Sequence, residues 1–216
     1  MSTGVFCIEN WSNRLTEHAS VLPLLEFMAP RGQGLRYIHR QVDSGDQLNA
    51  YVDRWSWLES YPLGYFALHG SPGHLYVGND RLSLRRLLSW SHSEAPRSEE
   101  LSPEELGARD AQVDRDWLSL RGKVLYVGSC ATLGLRDPAE LDELRINTGA
   151  TDICGYTKDV RWHDAAAFDL ILLSELAEAL ELVYPRPGVQ RALRRISVAH
   201  AGLVSRLGFV GSPATP

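Results

Sequence analysis

The amino-acid sequence predicts an α/β fold: a three-layer α/β/α sandwich around a mostly parallel sheet. Three observations carry this. Strand-like segments alternate with helical ones along most of the chain, the order found where crossover helices join parallel strands. Two central segments, GYFAL (64–68) and KVLYV (123–127), are apolar nearly throughout, as strands covered on both faces are. Glycine and proline punctuate the boundaries. The 216 residues, 44% of them hydrophobic, suffice for one full core but not comfortably for two. A single domain over 1–216 is therefore expected, with a polar connecting segment at 91–122.

Taken in order, residues 5–8 read as a short strand closed by Glu9 and Asn10. Residues 14–28 space Leu15, Ala19, Leu22 and Leu25 as a helix does, with Pro23 an awkward member, and Pro30, Gly32 and Gly34 end it. Residues 35–42 suit a second strand. Residues 46–58 predict a helix burying Leu48, Tyr51, Val52, Trp55 and Leu58. The strand 64–68 runs straight into His69 and Gly70. Ser71, Pro72 and Gly73 form a turn, 74–77 the return arm of a hairpin, and 82–90 a short helix. Ser102, Pro103, Glu104 and Glu105 have capping-box spacing with proline at the first helical position, which predicts a helix to about residue 117. The strand 123–127 closes on Gly128, Ser129 and Cys130. A helix (138–146), a strand (151–155), a loop (156–162) and a long helix (164–182) follow. Pro185 and Pro187 break that helix, and a further helix (189–201) and a last strand (203–210) are expected.

The net charge of −5 argues against a nucleic-acid partner, which requires a basic face. The arginine-rich stretch 186–206 reads as a solvated helix face. No basic leader is evident at the N-terminus, and no apolar run has the length of a membrane span. Three cysteines, Cys7, Cys130 and Cys154, suit free thiols in a reducing compartment, and none sits in a zinc-ligand spacing. No metal or cofactor is expected, nor a membrane partner, and the cytoplasm is the expected location.

Two strand segments end in reactive side chains, His69 before Gly70 and Cys130 after Ser129. In a parallel sheet both would emerge at the carboxyl edge, where functional groups collect. A thiol is only a few per cent ionised at neutral pH. A nearby imidazole raises the thiolate fraction and can later protonate a leaving amine. The backbone amides of Gly70 and Cys130 could cradle an oxyanion. The remaining candidates read as structural. His39 lies within a strand, and His74 lies at the surface of the hairpin. His163 and Asp164 mark a helix start, and Cys7 and Cys154 belong to the core. Ser129 lacks the final glycine of a nucleophile elbow, and no glycine-rich phosphate loop is present.

An apolar block ending in His-Gly, followed by an apolar block ending in Ser-Cys, resembles the signature of the caspase-like cysteine peptidases. Metacaspases and bacterial CHAT domains belong to that group, whose fold is caspase-hemoglobinase-like. The likeness covers about 63–173. It implies a cysteine endopeptidase acting on protein or peptide substrates, with His69 as general base and acid and Cys130 as nucleophile. Ser129, Asp159, Arg161 and Trp162 would bind substrate. Asp159 in the first specificity pocket would select a basic residue before the scissile bond, and Arg161 there would select an acidic one; Asp159 is preferred. An activating protein partner and a role in bacterial defence or regulated death are also implied. Two alternatives stand: an idle caspase-like fold serving as a regulatory binding module, and an unrelated doubly wound domain.

Overall fold

A computed structural model describes residues 3–10, 20–29, 35–89, 118–181 and 185–211. Six strands form the main sheet: β1 (Gly4–Glu9), β2 (Arg36–Gln41), β3 (Leu63–Ala67), β7 (Val124–Val127), β8 (Asp152–Tyr156) and β9 (Phe209–Gly211). They lie in the order β2-β1-β3-β7-β8-β9. The first five are parallel, and β9 runs antiparallel to β8. Three further strands, β4 (His69–Ser71), β5 (His74–Val77) and β6 (Asp80–Ser83), make a small antiparallel sheet.

Helices cover both faces, which is why the central strands carry no polar face. Side chains alternate between two cores, as the two-residue period of a strand requires. Val5, Cys7, Tyr65, Tyr126, Cys154 and Tyr156 enter the first core. There they meet α1 (Leu22–Met28), α5 (Trp162–Leu180), α6 (Pro185–Ala199) and α7 (Ala201–Leu207). Phe6, Ile8, Phe66, Leu125, Val127 and Ile153 enter the second, against α2 (Gly45–Trp57), α3 (Leu84–Leu88) and α4 (Ala139–Thr148). Each such side chain contributes on the order of 1.5–3 kcal/mol by leaving water. Trp55 lies so close across β3 that a Cβ on Gly64 would fall 2.5 Å from its ring.

Local signals explain the helix ends. Ser44 caps α2 by accepting from the Gln47 amide, and the Gln47 side chain returns to the Asp43 amide. Gly149 ends α4 in the left-handed region at φ 70°. Pro23 falls in the first turn of α1, where its missing N–H costs nothing.

Several expectations change. β3 stops at Ala67, and His69 starts a separate strand rather than ending the long one. Residues 82 and 83 belong to β6, and Ser83 caps a helix that begins only at Leu84. The strand expected over 203–210 is largely helix, because Leu203 and Leu207 recur at helical spacing until Gly208, at φ 61°, ends the turn. Only Phe209–Gly211 is strand. The helix expected over 102–117 lies outside the described residues, as do Trp90, Trp117 and residues 14–19 of the first expected helix. Among the described residues no helix is long and apolar enough to cross a membrane.

Candidate active site

β3 and β7 are neighbours, with Phe66 paired to Val127. His69 and Cys130 each stand three positions beyond that pair. The Gly128 amide donates to the Phe66 carbonyl at 2.9 Å and the Ser129 hydroxyl to the same oxygen at 3.4 Å. This holds the two strand ends together. It also buries Ser129 completely (0% exposed), so its side chain is not the cleft wall expected of it.

The chain then turns tightly from Cys130 to Gly134. Ala131 takes φ 52°, unusual for a residue with a side chain. Its amide donates to the Lys158 carbonyl and the Leu133 amide to that of Tyr156, which ties the turn to the β8 side. On the other side Gly73 N–H donates to the Thr132 carbonyl, and the Thr132 hydroxyl lies 3.3 Å from the carbonyls of both His74 and Cys130. The Cys130 turn is thus clamped between the β4–β5 hairpin and the β8–α5 loop.

Gly70 makes the closest approach. A Cβ there would sit 1.9 Å from Thr132 Oγ1, 2.7 Å from the Cys130 carbonyl and 2.9 Å from Ser129 Cβ. Only a residue without a side chain fits. The Pro72–Gly73 turn makes Ser71 and His74 the closing pair of the hairpin. Antiparallel alternation then turns the Gly70 N–H away from β5. Among the described residues the Cys130 N–H meets no acceptor.

Cys130 is half-buried, and its Sγ lies 3.8 Å from the Val160 carbonyl. His69 is exposed, and its ring makes no hydrogen bond to the thiol. The structure therefore brings the two segments together through their backbones and leaves the imidazole and sulfur unbonded. Burial pushes the Cys7 and Cys154 thiols well up, with further help from nearby carboxylates, so neither competes as a nucleophile.

The β8–α5 loop forms the far wall. The Thr157 amide and hydroxyl both donate to the Gly208 carbonyl, and Lys158 Nζ donates to the Ser205 carbonyl at 3.1 Å. Arg161 pairs with Asp164 at 3.1 Å, and Arg206 holds the other oxygen of Asp164 at 3.2 Å. Asp159 is exposed, and among the described residues its carboxylate has no partner. Trp162 begins α5 and is 40% exposed. His39 pairs with buried Glu9 at 2.7 Å, a structural contact as expected. His74 is half-buried rather than a plain surface residue, with Nδ1 against the Pro72 carbonyl.

Sequence reasoning missed the polar cluster beneath this site. Tyr65, Tyr126 and Tyr156, one from each of three adjacent strands, all donate to the carboxylate of Asp169 on α5. Asp169 is buried; loss of hydration raises its pKa to about 6 despite the opposing pull of the three phenols. The cluster touches the site directly, since a Cβ on Gly128 would lie 2.6 Å from the Tyr65 ring. The sequence signal was a tyrosine in each of the three strands, with Tyr65 and Tyr126 in register and Tyr156 two positions beyond the partner of Tyr126, and one acid on the apolar face of α5.

No protein-family model matches this chain, and no curated protein matches its sequence.

Proposed function

We propose that the chain is a cysteine endopeptidase of the caspase-like kind, with Cys130 as nucleophile and His69 as its acid–base partner. The supporting observation is the contact of Gly70 with the Cys130 carbonyl, which sets two reactive residues at one carboxyl edge of a parallel sheet. The two groups need not touch in the free protein, since catalytic contacts often tighten only when substrate binds. The Cys130 thiolate attacks the carbonyl carbon, and the amides of Gly70 and Cys130 hold the oxyanion. The C–N bond then breaks as the His69 imidazolium gives its proton to the leaving amine. Water, deprotonated by His69, hydrolyses the thioester and frees Cys130.

The loop favours a basic residue before the scissile bond. Lys158 and Arg161 are already held, by the Ser205 carbonyl and Asp164, while Asp159 remains open for a cation. The other reading, a caspase-like fold that only binds protein partners, draws on the missing bond between His69 and Cys130. A cytoplasmic location, a protein activator and a defence role belong to this proposal through the family likeness alone.

The test is labelling by a peptidyl acyloxymethyl ketone ending in arginine, alongside cleavage of a peptide library. Cys130→Ala removes labelling, and His69→Ala lowers turnover by roughly 10²–10⁴-fold. Asp159→Lys exchanges the arginine preference for an acidic one. Labelling that survives Cys130→Ala refutes the nucleophile; an inert thiol with no cleaved peptide leaves the binding module.

A further inference from the structure

The small antiparallel sheet has a solvent face that continues from the site. Cross-strand partners share a face. His69 pairs with Tyr76 and Tyr76 with Arg81, while Ser71 pairs with His74 and His74 with Ser83. Gly70, Leu75 and Leu82 turn the other way, toward the Cys130 turn and the second core. His69 therefore heads a polar strip that ends at Arg81.

Beside β6 lies a cavity of about 660 Å³ lined by His74, Arg81, Arg86, Asn49, Asp46 and Asp80, among others. Among the described residues neither arginine meets a carboxylate or a carbonyl. His74 Nδ1 lies 2.9 Å from the Pro72 carbonyl, so it carries the proton and donates there. Arg81 Nη2, 3.3 Å from that nitrogen, faces a donor. Arg86 has no side-chain acceptor among the described residues. Asp80 is held by the Gly45 amide at 2.7 Å, and the Asp46 carboxylate has no partner among the described residues. Two arginines without an anionic partner among the described residues suit an anion. Carboxylates beside them disfavour a bare inorganic one. A peptide satisfies both, with an acidic side chain for the arginines and backbone N–H groups for the carboxylates.

We propose that this strip and cavity bind the leaving-group side of the substrate, seating an acidic side chain between Arg81 and Arg86. The inference rests on the cysteine-peptidase reading. The direction follows from strand order. The Asp159 loop follows β8, and the hairpin follows β3, on either side of Cys130. A chain entering past Asp159 leaves across β4, β5 and β6. Two strand spacings are about 10 Å, and an extended peptide rises roughly 3.3 Å per residue. The acidic side chain thus stands at the third or fourth residue after the scissile bond.

Full-length Cys130→Ala protein is titrated with labelled peptides carrying arginine before the bond and either glutamate or glutamine at those two positions. Fluorescence anisotropy should show the glutamate peptide binding at least tenfold more tightly, with the advantage shrinking at high salt. Arg81→Ala with Arg86→Ala should erase the difference. Arg85→Ala should not, because Arg85 pairs with Glu143 at 2.8 Å. Equal binding of the two peptides, a preference that outlives the double variant, or tight uptake of inorganic phosphate without any peptide preference overturns the proposal. A glutamate preference without cleavage by the native chain sinks only the peptidase reading. Cleavage indifferent to glutamate sinks only this site.

Discussion

Gly70→Ala tests the contact on which the site is built. The new Cβ would stand 1.9 Å from Thr132 Oγ1 and 2.7 Å from the Cys130 carbonyl, where nothing nearer than 3.0 Å is tolerated. Rotation of Thr132 can relieve the first contact. The second involves backbone on a turn held from both sides, so the hairpin must retreat. Overfilling a packed interior costs about 1–3 kcal/mol. For a domain of this size that lowers Tm by roughly 2–12 °C. A misplacement of about 1 Å costs on the order of 10²-fold in rate. The assays are thermal unfolding and the rate of labelling by the arginine ketone, compared with labelling by iodoacetamide, a small reagent that needs no oriented site. The peptide probe should slow about 10²-fold while iodoacetamide changes little. Adding Thr132→Ala should recover part of the lost Tm and less of the rate, since the Cys130 carbonyl stays in the way. Native Tm together with a native rate for the peptide probe would show that Gly70 does not meet the Cys130 turn, and the reasoning would fail.

Asp169→Asn probes the buried cluster. The folded protein holds the Asp169 proton more tightly than the unfolded chain, with a pKa of about 6 against 3.8. Its contribution is therefore fully present below about pH 4 and lost as pH rises through 6, up to about 3 kcal/mol. Denaturant titrations from pH 4 to 7 should show the native chain losing ground to the variant, and a constant difference would refute the assignment. Lys123→Met removes the buried amine, which donates to the Leu58 carbonyl at 2.5 Å and to that of Tyr61 at 3.3 Å. A loss of about 1–3 kcal/mol is expected near neutral pH. Burial lowers the Lys123 pKa to about 8, so the unfolded chain binds the extra proton between 8 and 10.5. Native stability should rise relative to the variant across that window, and a falling difference would refute this sign.

What the sequence made legible was local. The runs 64–68 and 123–127 announced buried strands because covered strands need apolar residues on both faces. The tight His-Gly and Ser-Cys steps marked their ends. Side-chain period alone could not say that β3 would stop at Ala67, because the chain leaves the main sheet there only by pairing with β5. Ser129 was misread for the same reason: its hydroxyl is oriented by the Phe66 carbonyl, a partner distant in the chain. The Asp169 cluster depends on three strands being neighbours in space, which no single segment encodes. The final turn was misread because 203–210 is apolar enough for a strand, while its last helical turn is decided by contact with the first core.

The carbonyl of Gly208 takes both bonds from Thr157, and the Ser205 carbonyl takes the Lys158 amine. Late residues thus brace the loop that carries Asp159, whose other neighbours arise much earlier in the chain. Whatever pulls on the stretch after His200 also tugs the wall bearing Asp159. A handle at that end would be felt first at the loop bearing Asp159, before the sheet itself gives way.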